Sequence, residues 1–306
     1  MAREDFEYYE GLERIMGTVF RLHAYHSQER GSWMRELADR VFDALQEDDR
    51  RLSLYVAGSE VNRINAAAGG EPVKVSEDTF RQLEAAVEWW RFTAGLFDVT
   101  VGALMRAWGY YRNVALPGAG PPSLEEARAL TGCDKLELDP ANRAVRLARP
   151  GMFLDLGGFA KGWCVQQRSA ILDQTGLEDY VLSAGTSTVL ARGAPPGQPG
   201  WPTHLEDFGA EKTQLTELIL YNQAVSVSAN YRHTLEGPGG LTVRHIMNPI
   251  TFEPVTQIRR VVVTGPRDDD CEALSTALLV QGSPSGYFEL SGRPGYEAYF
   301  EFPAGD

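Results

Sequence analysis

The sequence predicts an α+β fold with two lobes and a ligand crevice between them. Apolar residues recur at helical spacing in the first half, as in residues 32–52, whereas short apolar runs of strand length dominate the second half. The chain has 306 residues, 43% of them hydrophobic, which is enough to bury one large core or two smaller ones. We therefore expect one domain over residues 1–306, with two lobes whose boundaries are irregular.

The first half is predicted to begin with a strand and to continue mainly in helices. Residues 16–25 alternate in the manner of a strand, and residues 32–52 follow as the first helix. Ser76, with two acids directly after it, is typical of the N-cap of a helix that reaches about Trp90. The remaining predictions are helices at 101–108 and 123–132, a Pro/Gly-rich break at 116–122 and a hairpin at 135–148.

The second half is predicted to be rich in strands. Its candidate strands are 179–183, 187–192, 215–221, 224–229 and 258–264, followed by a closing pair within 287–302. A loop is expected at 193–202, where glycine and proline cluster, and a helix at 269–281. The chain shows no internal repeat, and this mixture of helices and strands predicts the α+β class.

Charge and composition exclude several classes of function. A net charge of −13 argues against binding nucleic acid or an anionic membrane through a general positive field. The first ten residues have neither the pattern of a signal peptide nor a lipidation cysteine, and no apolar run approaches the roughly 20 residues that cross a bilayer. Three distant cysteines without a C-x-x-C pair indicate neither a disulfide framework nor a zinc site. We expect a cytoplasmic protein without membrane insertion.

Residues 151–166, GMFLDLGGFAKGWCVQ, have the pattern of an anion site. An apolar run suited to a short buried strand, 153–156, ends at a glycine pair, and Lys161 lies near the start of a helical pattern. Backbone N–H groups left bare at Gly157 and Gly158, together with this lysine, can hold a phosphate. The alternative is an ordinary tight turn followed by a solvated lysine.

A second chemical pattern lies on the predicted helix 269–281. Glu272, Ser275 and Thr276 occupy positions i, i+3 and i+4 and therefore share one face. Three oxygen donors on one face suit Mg²⁺, which prefers oxygen ligands and bridges phosphates. The alternative, which spacing alone favours, is an acid at a helix N-terminus with two hydroxyls bonded back to the helix.

Six ordered blocks resemble the motifs of the ApbE-type flavin transferases and span nearly the whole chain. The central block D-L-G-G-F-A-K-G is similar to that family's D-L-G-G-I-A-K-G. The other blocks are Met16-Gly17-Thr18, SLYVAGSEVNRIN (53–65), TAGLFDVTVGALMRAWGY (93–110), HIMNPITFEPV (245–255) and EALSTALLVQG (272–282). The resemblance implies an ApbE-like flavin transferase fold.

The resemblance also implies site residues, each carried over where a motif matches. The implied FAD-binding residues are Met16, Tyr55, Leu96, Phe97, Asp98, Asp155, Lys161 and Ile246. The implied Mg²⁺ ligands are Glu272, Ser275, Thr276 and a backbone oxygen near Gly158, with glutamate where the family has aspartate. Aromatic and thioether groups suit flat rings, acids accept from ribose or adenine donors, and lysine suits phosphate.

His245 is the candidate catalytic base, because it stands in the block that resembles the family's H-I-x-x-P-x-T and neutral imidazole accepts a proton near physiological pH. Outside that block, a single histidine is as well explained by a structural role. The chain departs from the family pattern beside His245. Asn248 stands where the family has aspartate, and Phe252 replaces a glycine, which suggests a changed loop path or a loop that closes over something. Residues 183–187, SAGTS, match the family's N-x-G-G stretch only at Gly185.

The function implied by the resemblance is Mg²⁺-dependent transfer of FMN from FAD to a threonine or serine of an acceptor flavoprotein, with release of AMP. Two alternatives stay open at this point. One is a flavin-binding protein that has lost transfer activity through the departures at 183–187, 248 and 252. The other is a FAD pyrophosphatase that uses water in place of the acceptor hydroxyl and gives FMN and AMP.

Overall fold

The computed structural model describes residues 6–27, 31–112, 114–117, 120–205, 217–230, 234–236, 242–283 and 294–302. Its helices are α1 Gly31–Leu52, α2 Glu60–Ala66, α3 Glu77–Phe92, α4 Gly102–Ala107, α5 Leu124–Leu130, α6 Ala160–Asp173 and α7 Asp268–Gln281. Its strands are β1 Phe6–Ile15, β2 Thr18–Ser27, β3 Val73–Lys74, β4 Leu136–Asp139, β5 Ala144–Leu147, β6 Asp179–Ala184, β7 Thr188–Arg192, β8 Trp201–His204, β9 Glu217–Leu220, β10 Ala224–Ala229, β11 Thr234–Glu236, β12 Thr242–Arg244, β13 Arg260–Gly265 and β14 Glu297–Glu301.

A seven-stranded antiparallel sheet is the centre of the fold, in the order β1-β2-β6-β7-β10-β13-β14. Successive side chains of a strand point to opposite faces. Accordingly, Leu182 and Leu190 belong to the main core, whereas Val181 and Val189 belong to a second cluster beneath the β8–β9 hairpin. Helices α1, α6 and α7 pack together on the main-core side. The central strands are therefore buried on both faces, which explains their nearly continuous apolar sequence.

A smaller sheet, β3-β5-β4, accompanies the helices of the first half. Side chains from α2, α3 and this sheet belong to the same buried cluster as those on the main sheet; examples are Ile64, Leu83 and Val145. Ser76 caps α3 by accepting a hydrogen bond from Thr79 N, as the sequence predicts. Among the described residues, no helix is long and apolar enough to cross a membrane.

An ion network centred on the buried Asp48 carboxylate ties three helices together. The Asp48 carboxylate on α1 accepts from Arg51 at 2.5 Å and from Arg168 on α6 at 2.6 Å. Arg168 also reaches Asp78 at the start of α3, at 2.7 Å. Hydrogen bonds to these two carboxylates raise the pKa of Arg168, so the guanidinium keeps its charge in the folded protein.

The predicted α+β class is confirmed, and most predicted elements appear close to their expected positions. The two-lobe division stays a prediction. The N-terminal prediction needs correction, because Met16 and Gly17 form a turn and the strand begins at Thr18. Neither β1 nor the short helix α2 was predicted, and the loop expected to reach residue 202 ends where β8 begins at Trp201. Of the closing strand pair, β14 is observed and residues 284–293 lie outside the described part of the chain.

The prediction of a strand at 153–156 also needs correction. Phe153, Leu154 and Leu156 are buried as predicted, but only Phe153 forms a bridge, a single parallel one with Val101. The side chain of Asn65 takes the place of a neighbouring strand: its Nδ2 donates to Leu154 O at 3.1 Å and its Oδ1 accepts from Leu154 N at 2.7 Å. A side-chain amide thus satisfies the backbone that a strand partner otherwise pairs.

Candidate functional site

A cavity of about 850 Å³ lies at the end of the main sheet where β2 begins and β6 and β10 end. The residues predicted from the sequence that line it are Met16, Tyr55, Leu96, Phe97, Asp98, Asp155, Gly158, Lys161, His245, Ile246, Glu272 and Thr276. Ser275 is fully buried behind this lining. These predicted residues come from six segments far apart in sequence that meet at one cavity, whose volume suits a cofactor-sized ligand.

The turn between β1 and β2 forms one wall. Met16 and Gly17 have φ values of +50° and +72°, the left-handed pair required by a two-residue hairpin turn of type I′. Glycine is needed at a second turn, after β6, because a Cβ on Gly185 would lie 2.7 Å from Thr18 Oγ1. The two turns therefore pack closely, and Met16 and Ser187 both reach the cavity.

The segment after α3 carries Leu96, Phe97 and Asp98. Phe97 packs edge-on against Phe159 at 5.4 Å between ring centroids. Asp98 lines the cavity, yet its Oδ1 already accepts from Thr100 N and Thr100 Oγ1, at 2.7 and 2.6 Å. Burial raises the pKa of this carboxyl, and these hydrogen bonds oppose the shift. In the structure, Asp98 thus stabilises its own turn.

The glycine turn brings Lys161 to the cavity in the first turn of α6. The expectation of two bare glycine N–H groups is wrong for Gly157, because its N–H donates to Asp155 Oδ1 at 2.8 Å. Lys161 Nζ lies 3.3 Å from Gly157 O and 3.4 Å from Glu272 Oε1. A positive group and the start of a helix therefore face the cavity beside a buried acid.

Helix α7 supplies the oxygen donors opposite Lys161. Glu272 is 4% exposed, and its Oε2 accepts from Gly162 N. Gly162 has to be glycine here, because a Cβ would lie 2.4 Å from that same oxygen. Ser275 bonds back to Glu272 O at 3.1 Å, as the structural alternative for this helix expects, whereas Thr276 lines the cavity.

A cluster of hydroxyl groups connects α7 to β10. Ser228 Oγ lies 2.8 Å from Ser275 Oγ and 3.1 Å from Thr276 Oγ1, and Ser226 Oγ lies 3.3 Å from Ser275 Oγ. Ser226 and Ser228 line the cavity and were not predicted as site residues. Their alternation in the buried strand AVSVSA is the sequence signal that places both hydroxyls on one face.

The donor types at α7 fit a hard cation such as Mg²⁺. The Glu272 carboxylate and the Thr276 hydroxyl reach the same cavity, and a Cβ on Gly158 would lie 3.9 Å from Thr276 Oγ1, so the glycine turn is adjacent. In the described part of the chain, no group of three or more His, Cys, Asp or Glu side chains is arranged to hold a metal ion. A cation here would depend on one carboxylate, neutral oxygens and the ligand itself.

The segment that carries His245 is held by aromatic residues after α4. Trp108 Nε1 donates to Phe252 O at 3.0 Å, and Tyr110 OH donates to Val243 O at 3.2 Å. These bonds bracket His245 on both sides. Burial raises the pKa of Tyr110 to about 12, so its hydroxyl stays a donor at physiological pH.

The two departures in the His245 block have clear structural roles. Asn248 Oδ1 accepts from Ile250 N and Thr251 N at 2.8 and 3.0 Å, as an aspartate in this turn would. Phe252 has φ +64°, the left-handed conformation that glycine favours, and the Arg128 guanidinium carbon lies 5.3 Å from the centre of its ring. The sequence suggested either a changed loop path or a loop that closes over something. The structure shows the second, because the Phe252 ring packs against Arg128.

Comparison with known proteins identifies the family. The ApbE family model matches residues 16–300. The chain belongs to the ApbE family. A FAD:protein FMN transferase of Treponema pallidum (strain Nichols) is 28% identical, with 96% of this chain and 84% of that protein covered. One from Vibrio cholerae is 29% identical, with 89% and 80% covered.

Solved structures of the ApbE family have the same fold. The ApbE protein of Thermotoga maritima has a TM-score of 0.82 at 26% identity, with 98% of this chain and 96% of that chain covered. The apo form of the Pseudomonas stutzeri flavinyl transferase ApbE also has a TM-score of 0.82 at 26% identity, with 98% and 92% covered. The mixed helix and sheet architecture is therefore that of the ApbE flavin transferases.

Proposed function

We propose that this chain is a FAD:protein FMN transferase that moves FMN from FAD to a threonine or serine of an acceptor protein and releases AMP. The observation that carries the proposal is the meeting of Lys161 and Glu272 in one cavity, 3.4 Å apart, at the glycine turn. A cation beside an acid and neutral oxygen donors suits a metal-bound pyrophosphate better than an apolar ligand. Membership of the ApbE family, whose model matches residues 16–300, supports the assignment.

Different residues would bind the pyrophosphate, the flavin nucleotide and the metal ion. Lys161 would hold the pyrophosphate from the first turn of α6, where the helix dipole also favours an anion. Met16 and Tyr55 would flank the flavin nucleotide; Tyr55 is 72% exposed and can be covered by ligand. Glu272 and Thr276 would hold Mg²⁺ with a backbone oxygen near Gly158. When bound, Mg²⁺ supplies charge neutralisation on the phosphate oxygens.

The proposed reaction is a single displacement at phosphorus. The acceptor hydroxyl forms a bond to the phosphorus on the FMN side, and the bond from that phosphorus to the bridging oxygen breaks, so that AMP leaves. His245, held between the two aromatic hydrogen bonds, would take the hydroxyl proton. Lys161 would stabilise the negative charge that develops on the leaving phosphate. No side chain of this chain needs to become covalently modified.

A single incubation tests the proposal. The purified chain is mixed with FAD, Mg²⁺ and a hydroxyl-bearing acceptor flavoprotein, and products are followed by intact mass and nucleotide chromatography. Transfer predicts an acceptor heavier by one FMN together with free AMP. AMP without a labelled acceptor would instead show a pyrophosphatase, and intact FAD held by the chain would show a flavin-binding protein.

A further inference from the structure

Tyr111 has a backbone conformation that aromatic residues rarely adopt. Its φ is +64°, in the left-handed region where a bulky side chain is an outlier. Such strain persists only where surrounding contacts determine it, and it concentrates at functional sites. Tyr111 lines the cavity, so its strained backbone lies at the candidate site.

The phenol of Tyr111 connects the aromatic segment to the glycine turn. Its hydroxyl donates to Asp155 Oδ2 at 2.5 Å, and Asp155 Oδ1 accepts from Gly157 N at 2.8 Å. Burial and the neighbouring Asp155 raise the pKa of Tyr111 well above its ordinary value, so the hydroxyl remains a donor at physiological pH. Each carboxylate oxygen of Asp155 therefore accepts one hydrogen bond, Oδ2 from Tyr111 and Oδ1 from Gly157.

This bond sits at the point where the ligand is expected. Asp155 opens the glycine turn, and Lys161 follows one helical turn after Gly157 with Nζ 3.3 Å from Gly157 O. A rotation of the Asp155 carboxylate would release the Gly157 N–H and move the turn that presents Lys161. Fixing the carboxylate in advance removes an ordering cost from ligand binding.

We propose that Tyr111 is a positioning residue for FAD, which fixes the Asp155 carboxylate and, through it, the glycine turn. The inference rests on the proposed function, because it takes FAD as the ligand of the cavity. Tyr111 acts through Asp155 and takes no part in the chemical step. Its removal should therefore raise the KM for FAD while leaving the KM for the acceptor protein unchanged.

The test compares Tyr111→Phe with wild-type protein by calorimetric titration of FAD. The variant should bind FAD about tenfold more weakly, in line with the loss of one hydrogen bond to a charged group. In an Asp155→Ala background, the same substitution should have no further effect, since its partner is gone. The matched control is Tyr180→Phe, which removes a 2.5 Å tyrosine–aspartate bond to Asp173 away from the cavity and should leave FAD affinity unchanged.

A stability measurement separates positioning from simple folding. Tyr111→Phe keeps the ring and its packing, and Asp155 lines the cavity, where water can replace the lost hydroxyl, so Tm without FAD should stay close to that of wild type while FAD affinity falls. A clear fall in Tm, with affinity for the acceptor protein lost along with affinity for FAD, would mark a purely structural tyrosine and would overturn the proposal. Equal FAD affinity of wild type and Tyr111→Phe would also overturn it, without touching the proposed function. If wild-type protein fails to bind FAD, both are wrong.

Discussion

Removal of the Lys161 charge should change FAD and metal binding in opposite directions. Lys161 Nζ lies 3.4 Å from Glu272 Oε1, with side chains 26% and 6% exposed. Two opposite unit charges about 4 Å apart attract each other by roughly 4 kcal/mol at an effective dielectric constant near 20, before the cost of removing them from water is subtracted. In the ligand-free protein, the Lys161 ammonium group thus pairs with the Glu272 carboxylate, which a metal cation would need as a ligand. Phosphate should draw the lysine away and release Glu272 for Mg²⁺.

Lys161→Met keeps the length of the side chain and removes its charge. A net loss of about 1.5–3 kcal/mol for a charged hydrogen bond predicts FAD binding weaker by roughly 10- to 100-fold. Mg²⁺ alone should bind the variant more tightly than wild type, because Glu272 loses its competing ammonium group. Calorimetry of FAD and of Mg²⁺ measures both quantities, with Lys74→Met on β3 as the matched control. Unchanged FAD affinity, or weaker Mg²⁺ binding by the variant, would refute the reasoning.

Three further predictions concern stability and chemistry. Asp48→Asn should lower the free energy of unfolding by about 3–5 kcal/mol in urea denaturation, because two arginines lose a buried partner; a loss below about 1 kcal/mol would contradict this. Burial and the neighbouring Glu272 raise the pKa of Asp268 well above its unfolded value, so its ionisation destabilises the protein increasingly as pH rises above about 4. Asp268→Asn should therefore raise Tm at pH 8 and have little effect near pH 4, measured by calorimetric scans; an equal shift at both pH values would disprove the assignment. His245→Ala should slow FMN transfer by about 10²- to 10⁴-fold in a single-turnover assay while FAD affinity is retained, and a near-wild-type rate would exclude it as the base.

Motifs with local chemical meaning predicted much of the candidate site. The glycine turn, Lys161, Glu272 and Thr276 were predicted from short-range spacing, which fixes which groups share a turn or a helix face, and all of them line the cavity; their roles stay predictions. Ser275 shares that helix face by spacing, but β10 packs over it, so its hydroxyl meets serines and not the cavity. Sequence periodicity cannot show which neighbouring element covers a helix position.

The residues that were missed depend on tertiary contacts. Tyr111 has no motif of its own, and only the folded chain brings its hydroxyl to Asp155, 44 positions later in sequence. Asn65 replaces a strand partner for Leu154 across 89 positions, which explains why a predicted strand became an extended segment. Asn248 departs from the family pattern, but its amide oxygen still closes the turn by accepting a hydrogen bond from Ile250 N. That compensation depends on the folded turn and has no signal in the sequence.

The most direct test of the central claim is the stoichiometry of transfer to one defined hydroxyl. An acceptor flavoprotein is incubated with the chain, FAD and Mg²⁺, beside the same acceptor with its target threonine replaced by valine. The account predicts one FMN added per acceptor, one AMP released for each FMN added, and neither product above background with the valine acceptor. Equal AMP release with both acceptors, or an unlabelled threonine acceptor beside intact FAD, would contradict it.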